Sequence, residues 1–483
     1  MKPKLIQKYY DANQKELLKL YEYPSGVRLV HCTRTGSIEM SAGIAFKAGS
    51  FYEKQLAVPD GTAHMVEHVI AGTPNRVLKT FAELSMFEYG SKRRAWASTN
   101  ASTGNLVAKY YGYTNAKGSL RLLNYLKWEF EKREHDFAKQ IERERGVILS
   151  EFKRNPEFDK DPGYQSDKFL TDNLSPDRTK RVIGNEESIN AITAEDLIKF
   201  YQATYTKNRA VIGVQTGVAL SKDEWKAVNE LANRIGEMDS SVKLADPTDP
   251  TPSYKLEMFT YHDDLKNDVY LAITYGLKDL EMGYSPELHA YTNLLCRLVG
   301  YVAYKQLREE KALVYNATYI RQRTVLDLLH LGMRTGVDPK KLPETLDAIY
   351  DLFDKDIKAF IESERGARWL LNFISGEIYP SQPEHSRYSC LDDATNILFG
   401  EKPFGDIKGY RKIIRSLSLA QLYAGIEYIW QNLPPRLWLQ VNAQPEETAE
   451  LIKNSKLYKH FEKQKAKPFE TYREFVAKFI AVE

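Results

Sequence analysis

Two stretches far apart in the chain read alike, and this repetition restricts the fold more than any other feature. Ile192-Thr193-Ala194-Glu195-Asp196-Leu197 runs into Phe200-Tyr201, then Asn208, then the apolar stretch Ala210–Gln215. Leu417-Ser418-Leu419-Ala420-Gln421-Leu422 runs into Tyr428, then Asn432, then the apolar stretch Leu437–Val441. Thr193 with Asp196, and Ser418 with Gln421, fit the capping box that opens a helix. The distances from cap to strand agree to within about two residues. Between the two lies Gly236–Ser253, GEMDSSVKLADPTDPTPS, rich in Asp, Ser, Thr and Pro and without apolar period. A repeated helix–strand unit on either side of such a segment predicts duplication. The expected domains are 1–235 and 255–483, joined by a linker over 236–254.

Each half reads as strands followed by helices. In the first, Val27–Thr35, Ser37–Lys47 and Ala101–Tyr113 carry β-branched and aromatic residues, while Leu120–Lys132, Phe137–Arg154 and Ala194–Tyr201 have helical apolar spacing. In the second, the strands fit Lys255–Tyr261, Asp268–Tyr275, Leu313–Tyr319 and Val325–Gly336. The helices there fit Leu288–Glu310, Lys341–Glu362, Glu364–Ile374 and Leu419–Gln431. Hairpin strands packed with helices predict an α+β class: two homologous α/β-sandwich domains, each an antiparallel-rich sheet covered by helices.

Composition removes several functions. The 483 residues hold 68 Lys and Arg against 65 Asp and Glu, a net charge of +3. That balance leaves no footprint for nucleic acid or an anionic membrane surface. The basic run near Lys463–Lys467 is short and reads as solvated helix surface. Cys32, Cys296 and Cys390 are widely separated, which fits buried thiols in a reducing compartment. Met1–Tyr10 has no apolar core of a signal peptide, and no stretch has the length and apolarity of a membrane span. A bacterial cytoplasmic protein is the expectation.

The chemistry concentrates in Gly61-Thr62-Ala63-His64-Met65-Val66-Glu67-His68. On a helix, His64 and His68 are one turn apart, so both imidazoles leave the same face. Two neutral imidazole nitrogens so placed can share one Zn²⁺, and Glu67 lies close enough to serve as a base without being a ligand. The pattern H-x-x-E-H is the inverted form of the H-E-x-x-H zinc motif. The remaining histidines (His31, His135, His262, His289, His330, His385 and His460) are scattered and read as surface or packing residues. A catalytic zinc takes three protein ligands and keeps one position open. Ile141–Glu151 offers carboxylates for the third: Glu144 and Glu151 sit two turns apart on one helical face, Glu151 at the metal and Glu144 behind it. Spacing alone leaves Glu142 and Glu157 open as well.

The run Gly49-Ser50, Glu53, Gly61–His68 and Gly72-Thr73 resembles the pitrilysin/insulinase family of inverted-motif zinc peptidases. The resemblance implies one zinc per chain, held by His64, His68 and the second Glu of a pair spaced like Glu144 and Glu151, with Glu67 as general base. The wider gap between His68 and Glu151 implies a small insertion near Glu88–Arg94. Asn100-Ala101-Ser102-Thr103, with Tyr110, is similar to the family's edge strand that pairs with the substrate backbone, so Asn100 and Ala101 become substrate contacts. Leu307–Tyr315 resembles the family's Arg/Tyr segment, which implies that Arg308 and Tyr315 hold the carbonyl next to the scissile bond. Four such domains make the family's clamshell, so a two-domain chain would form half of one. This is the organisation of the short branch that includes mitochondrial processing peptidase and bacterial relatives. Met65-Val66 stands where the family commonly has Phe-Leu, which bears on pocket shape.

These readings predict a zinc-dependent endopeptidase that binds short unstructured peptides, or leader and presequence segments, as an added strand inside a dimeric chamber. A homodimer is expected, since zinc helix and Arg/Tyr segment share one chain. The alternatives are the catalytic subunit of an obligate heterodimer with a related chain, and a non-catalytic scaffold.

Overall fold

The computed structural model describes residues 2–10, 16–33, 39–75, 77–80, 83, 97–130, 134–154, 181–246, 255–258, 269–278, 286–323, 328–378, 389–400, 410–433, 435–440, 445–464 and 478. Two compact units emerge. The first comprises Met1–Pro156, Pro176–Asp246 and Glu384–Lys408, and the second takes in Pro247–Pro383 and Gly409–Glu483.

The first unit is built on strands β1 (Lys4–Tyr10), β2 (Glu16–Glu22), β3 (Arg28–Thr33), β4 (Glu39–Phe46), β5 (Ala97–Thr103), β6 (Ala108–Asn115) and β7 (Ala210–Thr216). Their order is β1-β2-β3-β7-β4-β6-β5. Every neighbouring pair is antiparallel except β3 with β7. Helices α1 (Thr62–Gly72), α2 (Ser119–Glu129), α3 (Glu134–Arg154), α4 (Glu186–Ala191), α5 (Ala194–Thr204) and α6 (Lys222–Gly236) belong to the same unit. Alternate side chains sort to the two faces of the sheet. Leu29, Ile44, Phe46, Ile212 and Val214 pack with the helices in one core. Val30, Ala45 and Val211 pack on the other face against Cys390, Leu391 and Ala394 of the helix Ser389–Leu398. Burial on both faces is why β7, AVIGVQT, is buried at every position and opens with the apolar run Ala210–Val214 rather than an alternating pattern.

The described strands of the second unit are β8 (Lys255–Met258), β9 (Val269–Lys278), β10 (Val314–Arg323), β11 (Leu328–Val337) and β12 (Pro435–Gln440), in the order β10-β11-β9-β12-β8. Here β8 is parallel to β12, and β12, β9, β11 and β10 follow antiparallel. That is, strand for strand, the arrangement β3-β7-β4-β6-β5 of the first unit. The two capping boxes also form: Thr193 accepts from the Asp196 N–H, and Ser418 from the Gln421 N–H.

Several expectations need correction. The strand expected over Ala101–Tyr113 is two strands, because Gly104-Asn105 turns the chain and the Gly104 N–H closes on the Val107 carbonyl at 2.8 Å. The helix expected over Leu288–Glu310 is α-helical for Pro286–Ala303 and widens into a π-helical turn over Tyr304–Glu310. The helix expected over Lys341–Glu362 carries a similar π turn at Leu352–Asp356. Within the expected linker, Asp246 pairs with Lys47 at 2.5 Å and accepts from the Tyr52 hydroxyl at 3.0 Å. The insertion expected near Glu88–Arg94 lies outside the described residues. No described helix is long and apolar enough to cross a membrane.

Candidate metal centre

Helix α1 opens at Gly61, whose φ of 95° is left-handed and whose Cβ, if present, would lie 2.6 Å from the Ile183 carbonyl oxygen. Only glycine fits that entry. Ala63, Met65, Val66, Val69 and Ile70 are buried in the core. Burying that side fixes the rotation of α1 and leaves His64 and His68 together on the opposite side, with ring centroids 4.6 Å apart.

Helix α3 packs beside α1 and brings Glu144 and Glu151 to those rings. Glu151 Oε2 lies 3.9 Å from His64 Nε2 and 3.5 Å from His68 Nε2. Glu144 reaches the other nitrogen, with Oε2 3.5 Å from His68 Nδ1, and its Oε1 accepts from Arg143 at 2.6 Å. Glu67 Oε2 stands 3.8 Å from His64 Nε2 and accepts from the Thr103 hydroxyl at 3.1 Å. Ligand atoms of His64, Glu67 and His68 all fall within 4.8 Å of one another. Glu142, one of the carboxylates that spacing left open, turns instead to Arg145 at 3.2 Å. Glu157 lies outside the described residues.

The electrostatics follow from burial. Desolvation, helped by the neighbouring His68, pushes the His64 imidazole down to about 3, so it is neutral at ordinary pH. Desolvation pushes the Glu67 carboxyl up to about 7, with Glu151 adding to it while His68 and the Thr103 hydrogen bond work against it. Burial acts to lower His68, yet the bond to Glu144 and the charges of Glu67, Glu144 and Glu151 raise it above its ordinary value.

The residues fit a zinc ion. Donors about 2.0–2.2 Å from a tetrahedral zinc stand about 3.3–3.6 Å from each other. The separations of Glu151 from the two Nε2 atoms, 3.9 and 3.5 Å, approach that spacing. The buried His64 Nδ1 has no hydrogen-bond partner among the described residues, so no bond of its own fixes which nitrogen carries the proton. Glu151, with 48% of its side chain accessible, leaves the outer side of the cluster open.

The cluster forms one wall of a cavity of about 520 Å³; residues 99–103 of β5 form another, and Tyr125 and Glu129 of α2 also line it. Strand β5 is the end of its sheet, pairing with β6 on one side. Asn100 is exposed there, and the Ala101 N–H donates to Asn100 Oδ1 at 2.9 Å. Arg308 and Tyr315 belong to the second unit, where the Arg308 guanidinium lies 4.4 Å over the Tyr315 ring and donates to the Tyr315 carbonyl. Tyr315 is 83% exposed. The role of Thr103 beside Glu67 went unassigned in the sequence. Its signal was available, since Thr103 continues the same edge strand as Asn100.

Residues 191–364 match the family model described as the Peptidase M16 inactive domain. A curated relative, "Probable mitochondrial-processing peptidase subunit beta, mitochondrial" of Arabidopsis thaliana, is 23% identical over 249 residues, which cover 50% of this chain. The match spans 44% of that relative's length. Among solved structures, the peptidase M16 inactive domain from Pseudomonas fluorescens superposes with a TM-score of 0.65 at 13% identity, covering 88% of this chain and 98% of that one. The fold is that of the M16 peptidases. The periplasmic protease PqqL from Escherichia coli matches with a TM-score of 0.69 at 15% identity, over 97% of this chain and 52% of its own. The M16 model that carries the word inactive begins at residue 191. His64, Glu67, His68, Glu144 and Glu151 all precede it, so that description does not bear on α1 or α3.

Proposed function

We propose that the chain is a zinc-dependent endopeptidase acting on short, extended peptides, including leader or presequence segments. The observation that carries this reading is the convergence of Glu151 Oε2 on His64 Nε2 and His68 Nε2, at 3.9 and 3.5 Å, with Glu67 beside them. One zinc per chain would be held by His64, His68 and Glu151. Bound there, zinc supplies Lewis-acid polarisation of the scissile carbonyl and acidifies water. Glu67 is the general base: it takes a proton from the attacking water and returns it to the leaving amine. Thr103 orients the Glu67 carboxylate through the hydroxyl bond to Oε2. Glu144, 3.5 Å from His68 Nδ1, would hold the His68 ring by accepting from that nitrogen, which would leave Nε2 available to a metal. Substrate adds to the open edge of β5 as a further strand, with Asn100 and Ala101 meeting its backbone. Arg308 and Tyr315 are assigned the substrate carbonyl on the strength of the resemblance.

The test is hydrolysis of a quenched peptide by the purified chain together with its zinc content. Stoichiometric zinc and cleavage that Glu67→Gln abolishes uphold the reading, and a chain that takes up no zinc rejects it. A homodimer is proposed as the working form. A second reading is the catalytic subunit of a heterodimeric processing peptidase, favoured by the similarity to a relative described as a subunit. Cleavage seen only after a second, related chain is added would select it.

A further inference from the structure

We propose that Glu53 is a positioning residue for the α1 centre, and that its charge, beyond its hydrogen bonds, strengthens the hold of that helix on a divalent cation. The inference rests on the reading of α1 as a zinc helix.

Glu53 precedes α1 in the chain and is 1% exposed. Its Oε1 accepts from two backbone N–H groups of the helix entry, Gly61 at 3.1 Å and Ala63 at 2.8 Å. Helices α4, α5 and α6 are capped by their own N-cap side chains, Asn185, Thr193 and Ser221. Helix α1 has no such cap, because its N-cap is Gly61 and the Ile183 carbonyl fills the place of a Cβ. The acceptor therefore comes from eight residues upstream.

This placement has an electrostatic consequence. His64 is the third residue of α1, inside the first turn. The start of a helix carries about half a positive charge on its unpaired N–H groups. A dication next to that turn meets repulsion, whereas a carboxylate bonded to the same N–H groups cancels it. Two N–H groups aimed at one oxygen are the arrangement an ionised carboxylate accepts. The same bonds fix the rotation of α1, and a slip of one residue would swing His64 by about 100° around the axis.

The experiment titrates zinc into the full-length chain against a chromophoric chelator. It compares wild type with Glu53→Gln, Glu53→Asp and Thr73→Ala, and records the melting temperature of each metal-free protein. Thr73→Ala removes the hydroxyl bond to the Val69 carbonyl at the other end of α1 and serves as the uncharged control. Glu53→Gln, which keeps an acceptor oxygen but not the charge, is expected to raise the zinc Kd about 3- to 30-fold with the wild-type cobalt absorption spectrum preserved. Glu53→Asp, which keeps the charge, is expected to lie between wild type and Glu53→Gln. Equal affinity in Glu53→Gln and wild type overturns the proposal. So does a loss matched by Thr73→Ala at the same drop in melting temperature, or a Glu53→Asp protein weaker than Glu53→Gln. Failure of the wild type itself to bind zinc rejects the metal centre instead, so the two failures are distinct.

Discussion

His68 faces a carboxylate from each of its ring nitrogens: Glu144 Oε2 is 3.5 Å from Nδ1, and Glu151 Oε2 is 3.5 Å from Nε2. Glu144 is buried and also paired with Arg143, so its position is set before any ligand arrives. Glu144→Gln is therefore expected to weaken zinc binding by about 10- to 100-fold while the chain stays folded. Chelator competition beside far-UV circular dichroism measures both, and wild-type affinity would remove Glu144 from the site.

Glu67→Gln is expected to retain zinc and lose about 10²- to 10⁴-fold in kcat. Burial lifts the Glu67 carboxyl to about 7 in the metal-free site, and a base works only when ionised. A bound dication lowers that value, so the acidic limb of kcat/KM should fall at or below about 7. A pH–rate profile with its acidic limb well above 7, or full activity in the Gln variant, would count against Glu67 as the base.

The open edge of β5 makes a separate prediction. Ala101→Pro removes a backbone donor and introduces a ring at the edge that is proposed to receive the peptide. The expected result is a rise in KM of about tenfold or more, with zinc content unchanged. Unaltered KM would place substrate elsewhere.

His31 gives a pH dependence unrelated to the metal. It packs edge-on to Trp225, with Nε2 3.0 Å from the Thr216 hydroxyl, and burial pushes it down to about 4. The unfolded chain binds a proton below about 6.5 that the folded chain refuses until about 4. Stability from this residue is thus complete above 6.5 and is lost as the pH falls from 6.5 towards 4, by an amount on the order of 2–3 kcal/mol. Denaturant melts at pH 7 and pH 4.5 should show a smaller difference for His31→Gln than for wild type.

Local patterns were legible and distant ones were not. His64, Glu67 and His68 need only one helical turn to meet, so their spacing suffices. The two capping boxes are equally local, and both form. The third carboxylate depends on how α3 packs on α1, which periodicity cannot supply; Glu142 is equivalent by spacing, and its side chain turns towards Arg145. Glu53 stands in the motif, but its capping role is not legible for a related reason, since a helix cap is sought at the N-cap and this one arrives from eight residues upstream. The break at Gly104-Asn105 had a turn signal within a stretch read as one strand. The matching strand orders of the two sheets support the duplication read from the repeated helix–strand units.

The helix Ser389–Leu398 lies against Val30, Ala45 and Val211 of a sheet whose strands all come from the first 216 residues. A gene truncated after Asp246 would encode every described strand of that sheet, and α1 as well, yet leave Val30, Ala45 and Val211 without the helix that packs on them. Such a fragment should precipitate or need detergent, and adding back a peptide spanning 389–398 should recover some of it in solution. Ribosomal synthesis imposes the same order: the strands leave the ribosome well before the helix that packs on them has been translated.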